Sequence, residues 1–97
     1  TVMIEIKVGV GYSTDIRLAR KVLEKAMEEC KWTLNDRERV VFVDNLGESS
    51  ITLGVRCWVR AEHLLSTKWE LNEKIKTSLD EAHIEIPFPQ LDVHMKQ

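Results

Sequence analysis

Residues 40–59, VVFVDNLGESSITLGVRCWV, contain two strand patterns separated by a short turn. Residues 40–43 are apolar on both faces, whereas apolar and polar side chains alternate along residues 51–60. Such alternation is typical of a strand with one buried face. Residues 45–50 between them are rich in Asn, Gly and Ser, which favour turns. Two strands joined this closely predict an antiparallel β-hairpin, and the rest of the chain is interpreted around it.

The segment before the hairpin predicts a strand followed by a helix. Residues 2–10 alternate between apolar and polar side chains, and a glycine-containing break follows them. Ser13 or Thr14 is expected to cap the next helix, with Asp15 in its first turn, where a negative charge suits the helix terminus. At about 100° per residue, six apolar side chains fall on one stripe of this helix. They are Ile16, Ala19, Leu23, Ala26, Met27 and Cys30.

The segment after the hairpin predicts a second helix and a final strand. The helix is expected from about Glu62 to Ala82, and His83 follows at the left-handed position where helices often end. Its apolar stripe consists of Leu64, Leu71, Ile75, Leu79 and Ala82. Residues 84–90 contain two prolines, which deny donors to a sheet and keep this part at an edge or outside it. Alternation at residues 91–96 predicts the last strand.

The order of these elements is βαββαβ, which predicts the α+β class. We expect a ferredoxin-like two-layer sandwich, with a four-stranded antiparallel sheet and two helices on one face. The 97 residues suit one domain spanning residues 1–97. The chain begins inside a strand pattern and without Met, which we interpret as an excised piece of a longer protein.

The composition excludes several classes of protein. With 43% hydrophobic residues, 31% charged residues and a net charge of −2, it is typical of a soluble globular domain without general affinity for nucleic acid. No apolar run approaches the roughly 20 residues of a transmembrane helix. Cys30 and Cys57 are too few for a disulfide scaffold. We expect two reduced thiols in a cytosolic setting, with a single bridge as the alternative.

No local motif predicts catalysis. Gly9 and Gly11 lie between a strand and a helix, as in a nucleotide-binding loop, but the third glycine of that motif is replaced by Thr14. Asp92 and His94 share one strand face, whereas a metal site needs three or four convergent ligands. The sequence therefore predicts no catalytic residue, no cofactor and no metal site, and we expect the protein not to be an enzyme.

Some apolar residues fall on surfaces that the domain itself does not cover. A two-layer sandwich leaves one sheet face open, and Phe42 and Trp58 fall on that face. Leu18 and Trp69 lie outside the apolar stripes of the helices. Because aromatic residues anchor protein interfaces, we predict that Leu18, Phe42, Trp58 and Trp69 belong to an assembly surface. The alternative is that they are isolated exposed hydrophobic residues, which are common.

Five stretches occur in a fixed order along nearly the whole chain. They are VGVGYSTD at 8–15, VDNLGESSI at 43–51, VRCWV at 55–59, WEL with KIK at 69–76, and IEIPFPQ at 84–90. In sequence and spacing they resemble the cytoplasmic α/β domain of the small-conductance mechanosensitive channels, the MscS family. The chain departs from the family pattern at Cys57, which replaces a usual aliphatic residue, and at His83, which occupies a customary glycine position.

This resemblance implies a membrane channel that opens under bilayer tension and releases ions and small osmolytes during hypo-osmotic shock. Members of the family form homoheptamers, in which pore-lining helices lie above a hollow cytoplasmic cage with side portals. The α/β domain would form the lower cage wall, with the other subunits of the same channel and the preceding β domain as partners. The parent channel would lie in the inner cell membrane and this segment in the cytoplasm, without membrane contact of its own.

A second interpretation stays open at this point. The ferredoxin-like fold hosts many unrelated functions, so the chain is alternatively a regulatory domain that binds a small ligand or a metal.

Overall fold

A computed structural model describes residues 1–87, and within them it contains three strands and two α-helices. The strands and helices follow one another in the predicted order, βαββα, up to the end of the second helix. Their bounds are β1 Val2–Val10, α1 Ile16–Glu29, β2 Val40–Leu46, β3 Ile51–Val59 and α2 Leu64–Glu81, with a 3-10 turn at Ala61–His63.

The three strands form an antiparallel sheet in the order β1-β3-β2. The predicted hairpin between β2 and β3 is confirmed, with Val41 opposite Val55. Its register shifts between Val43 and Asn45, and β2 continues to Leu46, so the strand reaches further into the predicted turn than the composition indicated. A bulge of this kind adds one residue to a strand and increases its twist.

One face of the sheet and the two helices enclose the hydrophobic core. Alternate residues of β1 and β3 point into it, and the predicted stripe of α1 supplies the facing side. From α2 the core receives Leu71, Ile75 and Leu79. The two-layer arrangement of an α+β fold is therefore confirmed. The predicted fourth strand, and with it the complete ferredoxin-like order, falls on residues 88–97, outside the described part of the chain.

The starts of the two helices differ from the predictions. Asp15, and not Ser13 or Thr14, is the N-cap of α1, because its carboxylate accepts hydrogen bonds from the backbone N–H groups of Arg17 and Leu18. The second helix begins with the 3-10 turn. Leu64, which was predicted on the buried stripe, is 37% exposed there, and Thr67 occupies the buried position of the first α-helical turn.

The end of α2 confirms the role predicted for His83. His83 has a φ of 59°, in the left-handed region, and its N–H donates to the carbonyl of Asp80. The N–H of Ile84 donates to the carbonyl of Leu79, which completes a Schellman motif. Neither described helix is long and apolar enough to cross a membrane.

Candidate interaction surfaces

Phe42 lies on the outer face of the sheet, as predicted, but its own chain covers much of it. The ring rests on Gly54 so closely that a Cβ atom added there would lie 2.2 Å from the Cζ atom of Phe42. The guanidinium of Arg56 lies over the ring, 5.0 Å from its centroid. Phe42 is therefore half-buried between a glycine and an arginine.

Ion pairs tie the same face together across all three strands. Arg56 donates to Glu5 Oε1 on β1 through Nε at 2.9 Å and through Nη2 at 2.6 Å. Lys7 on β1 donates to Asp44 on β2 at 3.0 Å, across the central strand β3. Partly exposed ion pairs contribute little each, and of these side chains Arg56 also lies over the Phe42 ring.

Trp58 is covered in a similar way at the other end of this face. The guanidinium of Arg37, from the loop before β2, lies 5.0 Å from the Trp58 ring centroid. The Nη2 atom of Arg37 donates to the hydroxyl of Thr1 at 3.2 Å. Arginine side chains therefore cover part of Phe42 and Trp58, and both residues are half-buried. Their place in an assembly surface stays a prediction.

The outer surfaces of the helices carry apolar side chains with far less cover. Leu18 on α1 is 45% exposed and Trp69 on α2 is 64% exposed, at the positions the helical periodicity predicted. Leu65, one turn before Trp69, is 56% exposed and was missed. Leu65 precedes Trp69 by four residues, and residues at this spacing lie on the same helix face, so the sequence did indicate that Leu65 is exposed beside Trp69.

A further exposed apolar cluster lies at the tip of the β2–β3 hairpin. Leu46 is 68% exposed and Tyr12, from the loop after β1, is 52% exposed. The Tyr12 hydroxyl donates to the carbonyl oxygen of Gly47, which holds the two loops together. Both residues fall in predicted turns, and the sequence patterns do not indicate the cluster, because the proximity of the residues depends on the tertiary structure.

The two cysteines lie in the core as free thiols, as predicted. Burial is the main cause that raises the pKa of the Cys57 thiol to about 11, against a smaller opposing effect of Arg39. Burial likewise raises the pKa of Cys30 to about 11. Because the thiolate is the reactive species, neither group is suited to act as a nucleophile near neutral pH.

The described residues contain no group of three or more His, Cys, Asp or Glu side chains placed to hold a metal ion. Asp92 and His94, the pair on one predicted strand face, lie outside the described part of the chain. A groove of about 260 Å³ runs between the helices, with Val22, Lys25 and Ser78 among the residues that line it. It is open and bordered by helix side chains, so no enclosed ligand site is evident at this place.

One aromatic contact was not predicted from the sequence. The rings of Trp32 and His63 are stacked, with centroids 3.8 Å apart and an angle of 2° between their planes. The contact joins the loop after α1 to the 3-10 turn before α2. It joins two connections whose stacked residues are 31 positions apart in sequence. The ammonium group of Lys31 lies 4.8 Å from the Trp32 ring centroid.

Comparison with known proteins assigns the family. The family model described as "Mechanosensitive ion channel MscS, C-terminal" matches residues 4–86. An MscS family protein of Archaeoglobus fulgidus is 45% identical over 86 residues, which are 89% of this chain and 30% of that protein. A small-conductance mechanosensitive channel of Helicobacter pylori is 34% identical over 94 residues, covering 96% of this chain and 34% of the channel.

Solved structures agree with this assignment. The closed-state crystal structure of Helicobacter pylori MscS superposes with a TM-score of 0.86 at 33% identity, over 99% of this chain and 38% of that chain. Arabidopsis thaliana MSL1 shares the fold, with a TM-score of 0.73 at 14% identity over 90% of this chain and 34% of that chain. The chain thus spans about a third of the length of its relatives. It belongs to the MscS family of mechanosensitive ion channels, and residues 4–86 correspond to the C-terminal region of the proteins in that family.

Proposed function

We propose that this domain forms the wall and side portals of the cytoplasmic cage of a mechanosensitive channel, which releases ions and osmolytes during hypo-osmotic shock. The match of residues 4–86 to the MscS C-terminal family model is the observation that carries the proposal. The physical character of the domain supports it, because a cage wall requires a rigid sandwich and contact surfaces. It does not require an active site.

The proposed partners are the other subunits of the same channel, in a homoheptamer, and the β domain that precedes this domain. Leu18 and Trp69 support this part of the proposal, because helix side chains this exposed gain burial only from a neighbour. Phe42 and Trp58 would contribute differently. Their rings are partly covered by arginines, so a neighbour would meet a flat layer of guanidinium groups and ring edges.

In the assembled cage, mixed surface charges would act on permeating solutes. The exposed faces of α1 and α2 carry both lysines and acidic residues, and pairs such as Lys76 with Asp80 leave little net charge locally. Portals bordered by such surfaces would select solutes weakly and electrostatically. The parent channel is proposed to lie in the inner cell membrane, with this domain in the cytoplasm.

The proposal is tested in the complete channel that contains this domain. We expect its expression in a bacterial strain lacking mechanosensitive channels to restore survival of hypo-osmotic shock, and membrane patches to show a conductance activated by tension. Deletion of residues 4–86 should abolish stable assembly. A channel that assembles normally and opens at an unchanged tension without these residues would contradict the proposed role of the domain.

A further inference from the structure

The N-terminal half of α2 presents an exposed surface that is both apolar and basic. Leu65 and Trp69 are one helical turn apart, and Lys68 is exposed beside them. Within the described part of the chain, Lys68 forms no ion pair. These three residues are called the α2 flank below. Such a surface fits a partner that offers apolar side chains together with a carboxylate.

The tip of the β2–β3 hairpin offers this complementary chemistry. Tyr12 and Leu46 are its exposed apolar residues, and Glu48 is exposed in the turn between the strands. Among residues 1–87, Glu48 has no ion-pair partner. The hydrogen bond from Tyr12 to Gly47 holds the cluster in place, so its apolar and acidic groups are presented together. Tyr12, Leu46 and Glu48 are called the hairpin tip below.

The two surfaces lie at opposite ends of the domain. The hairpin tip adjoins the first residue of β3, Ile51, whereas the α2 flank follows its last residue, Val59, through the 3-10 turn. A strand of nine residues spans about 30 Å. The hairpin tip therefore has no access to the α2 flank of its own chain, but both are accessible to another copy.

We propose that the hairpin tip of one copy of this domain docks on the α2 flank of a second copy. Leu46 and Tyr12 would pack against Leu65 and Trp69, and Glu48 would pair with Lys68. Because the two contact surfaces differ, the contact is heterologous and repeats from copy to copy, which closes into a ring where the rotation permits. This inference rests on the proposed function, in that it assumes assembly of identical subunits, and it names the surfaces that meet.

The test is cross-linking in the complete, membrane-embedded channel. We expect the double variant Leu46→Cys with Leu65→Cys, treated with a short flexible bismaleimide, to give a ladder of bands that extends beyond the dimer. The matched control combines Leu46→Cys with Lys21→Cys, whose position on the exposed side of α1 lies outside both surfaces, and it should give monomer only. The two native thiols of this domain are buried and should not react under native conditions, and any other native cysteine of the channel is replaced by serine.

The possible results separate this inference from the proposed function. If the double-cysteine channel remains oligomeric but gives no cross-linked bands, the pairing of the two surfaces is wrong, and the channel assignment is unaffected. Dimers from Leu65→Cys alone would indicate an isologous contact and also overturn the pairing. Cross-links from Leu65→Cys to a cysteine introduced into the preceding β domain, in place of the ladder, would assign the α2 flank to that domain instead. A monomeric wild-type protein would contradict both proposals.

A charge exchange tests the ionic part of the contact. Lys68→Glu should reduce the cross-linking yield of the Leu46–Leu65 cysteine pair about two- to five-fold, as expected for a surface ion pair. Adding Glu48→Lys should restore the yield, whereas the control Lys21→Glu should leave it unchanged. Equal yields from Lys68→Glu and from the restored pair would exclude the Glu48–Lys68 contact. All substituted positions are exposed, and circular dichroism of each variant checks that the fold is retained.

Discussion

The outer face of the sheet and the α2 flank each carry a tryptophan, but the two side chains differ in how far the chain covers them. On the sheet, Trp58 lies beneath Arg37 and Phe42 is held between Gly54 and Arg56. On α2, Trp69 has no comparable cover within the described residues and is mostly exposed. An aromatic residue outside the core is therefore a stronger sign of an interface when its own chain leaves it uncovered. We expect changes on the sheet face to lower mainly folding stability and changes on the flank to affect mainly assembly.

The largest effect is expected from Gly54→Ala, which would break the packing of the sheet face. The added Cβ atom would overlap the Phe42 ring, at 2.2 Å from its Cζ atom, and force the ring or the strands to shift. We expect a loss of about 3 kcal/mol in the free energy of unfolding, measured by urea denaturation of this domain. Gly11→Ala is the matched control, because nothing lies within 4 Å of a Cβ atom placed there. Equal stability of the two variants would show that Phe42 moves aside freely.

Trp58→Ala should have the next largest effect. The half-buried ring packs on β3 beneath Arg37, and its removal should cost about 2 kcal/mol of unfolding free energy, less than for a fully buried tryptophan. In the complete channel, the same variant should weaken assembly or shift gating. A heptamer yield and a tension threshold equal to those of the wild type would rule out an interface role for Trp58.

The ion pair between Glu5 and Arg56 should contribute a smaller amount. A double-mutant cycle with Glu5→Gln and Arg56→Leu is expected to give a coupling free energy of about 0.5 kcal/mol, because both side chains are partly exposed. High salt should reduce this coupling. A coupling free energy above about 2 kcal/mol would mean that the Glu5–Arg56 pair behaves as a buried ion pair.

Trp69→Ala should have the smallest effect on folding. The side chain is mostly exposed, and alanine favours a helix, so the unfolding free energy of this domain should change by less than about 0.5 kcal/mol. In the complete channel, by contrast, we expect a lower yield of oligomer on native gels. Lys21→Ala, on the exposed surface of α1, serves as the control for both measurements. A large loss of folding stability with unchanged assembly would reverse the proposed difference between the two regions.

The candidate surfaces were only partly predictable from the sequence. Helical periodicity identified Leu18 and Trp69 as lying off the apolar stripes, because that inference needs only the positions of residues along one element. Leu65 carried the same signal and was overlooked. The hairpin tip was not predictable in this way, since the proximity of Tyr12 and Gly47 joins residues 35 positions apart in sequence.

Local patterns by themselves determined the order of the described strands and helices, the hairpin, the buried stripe of α1 and the left-handed end of α2 at His83. These features depend on side-chain periodicity and on the conformational preferences of single residues, so neighbouring positions suffice to define them. The family resemblance also follows from the sequence alone. Only the tertiary structure decided which apolar residues are covered. Arg37 reaches Trp58, and Phe42 fills the space above Gly54, because strand register and loop paths bring distant residues together.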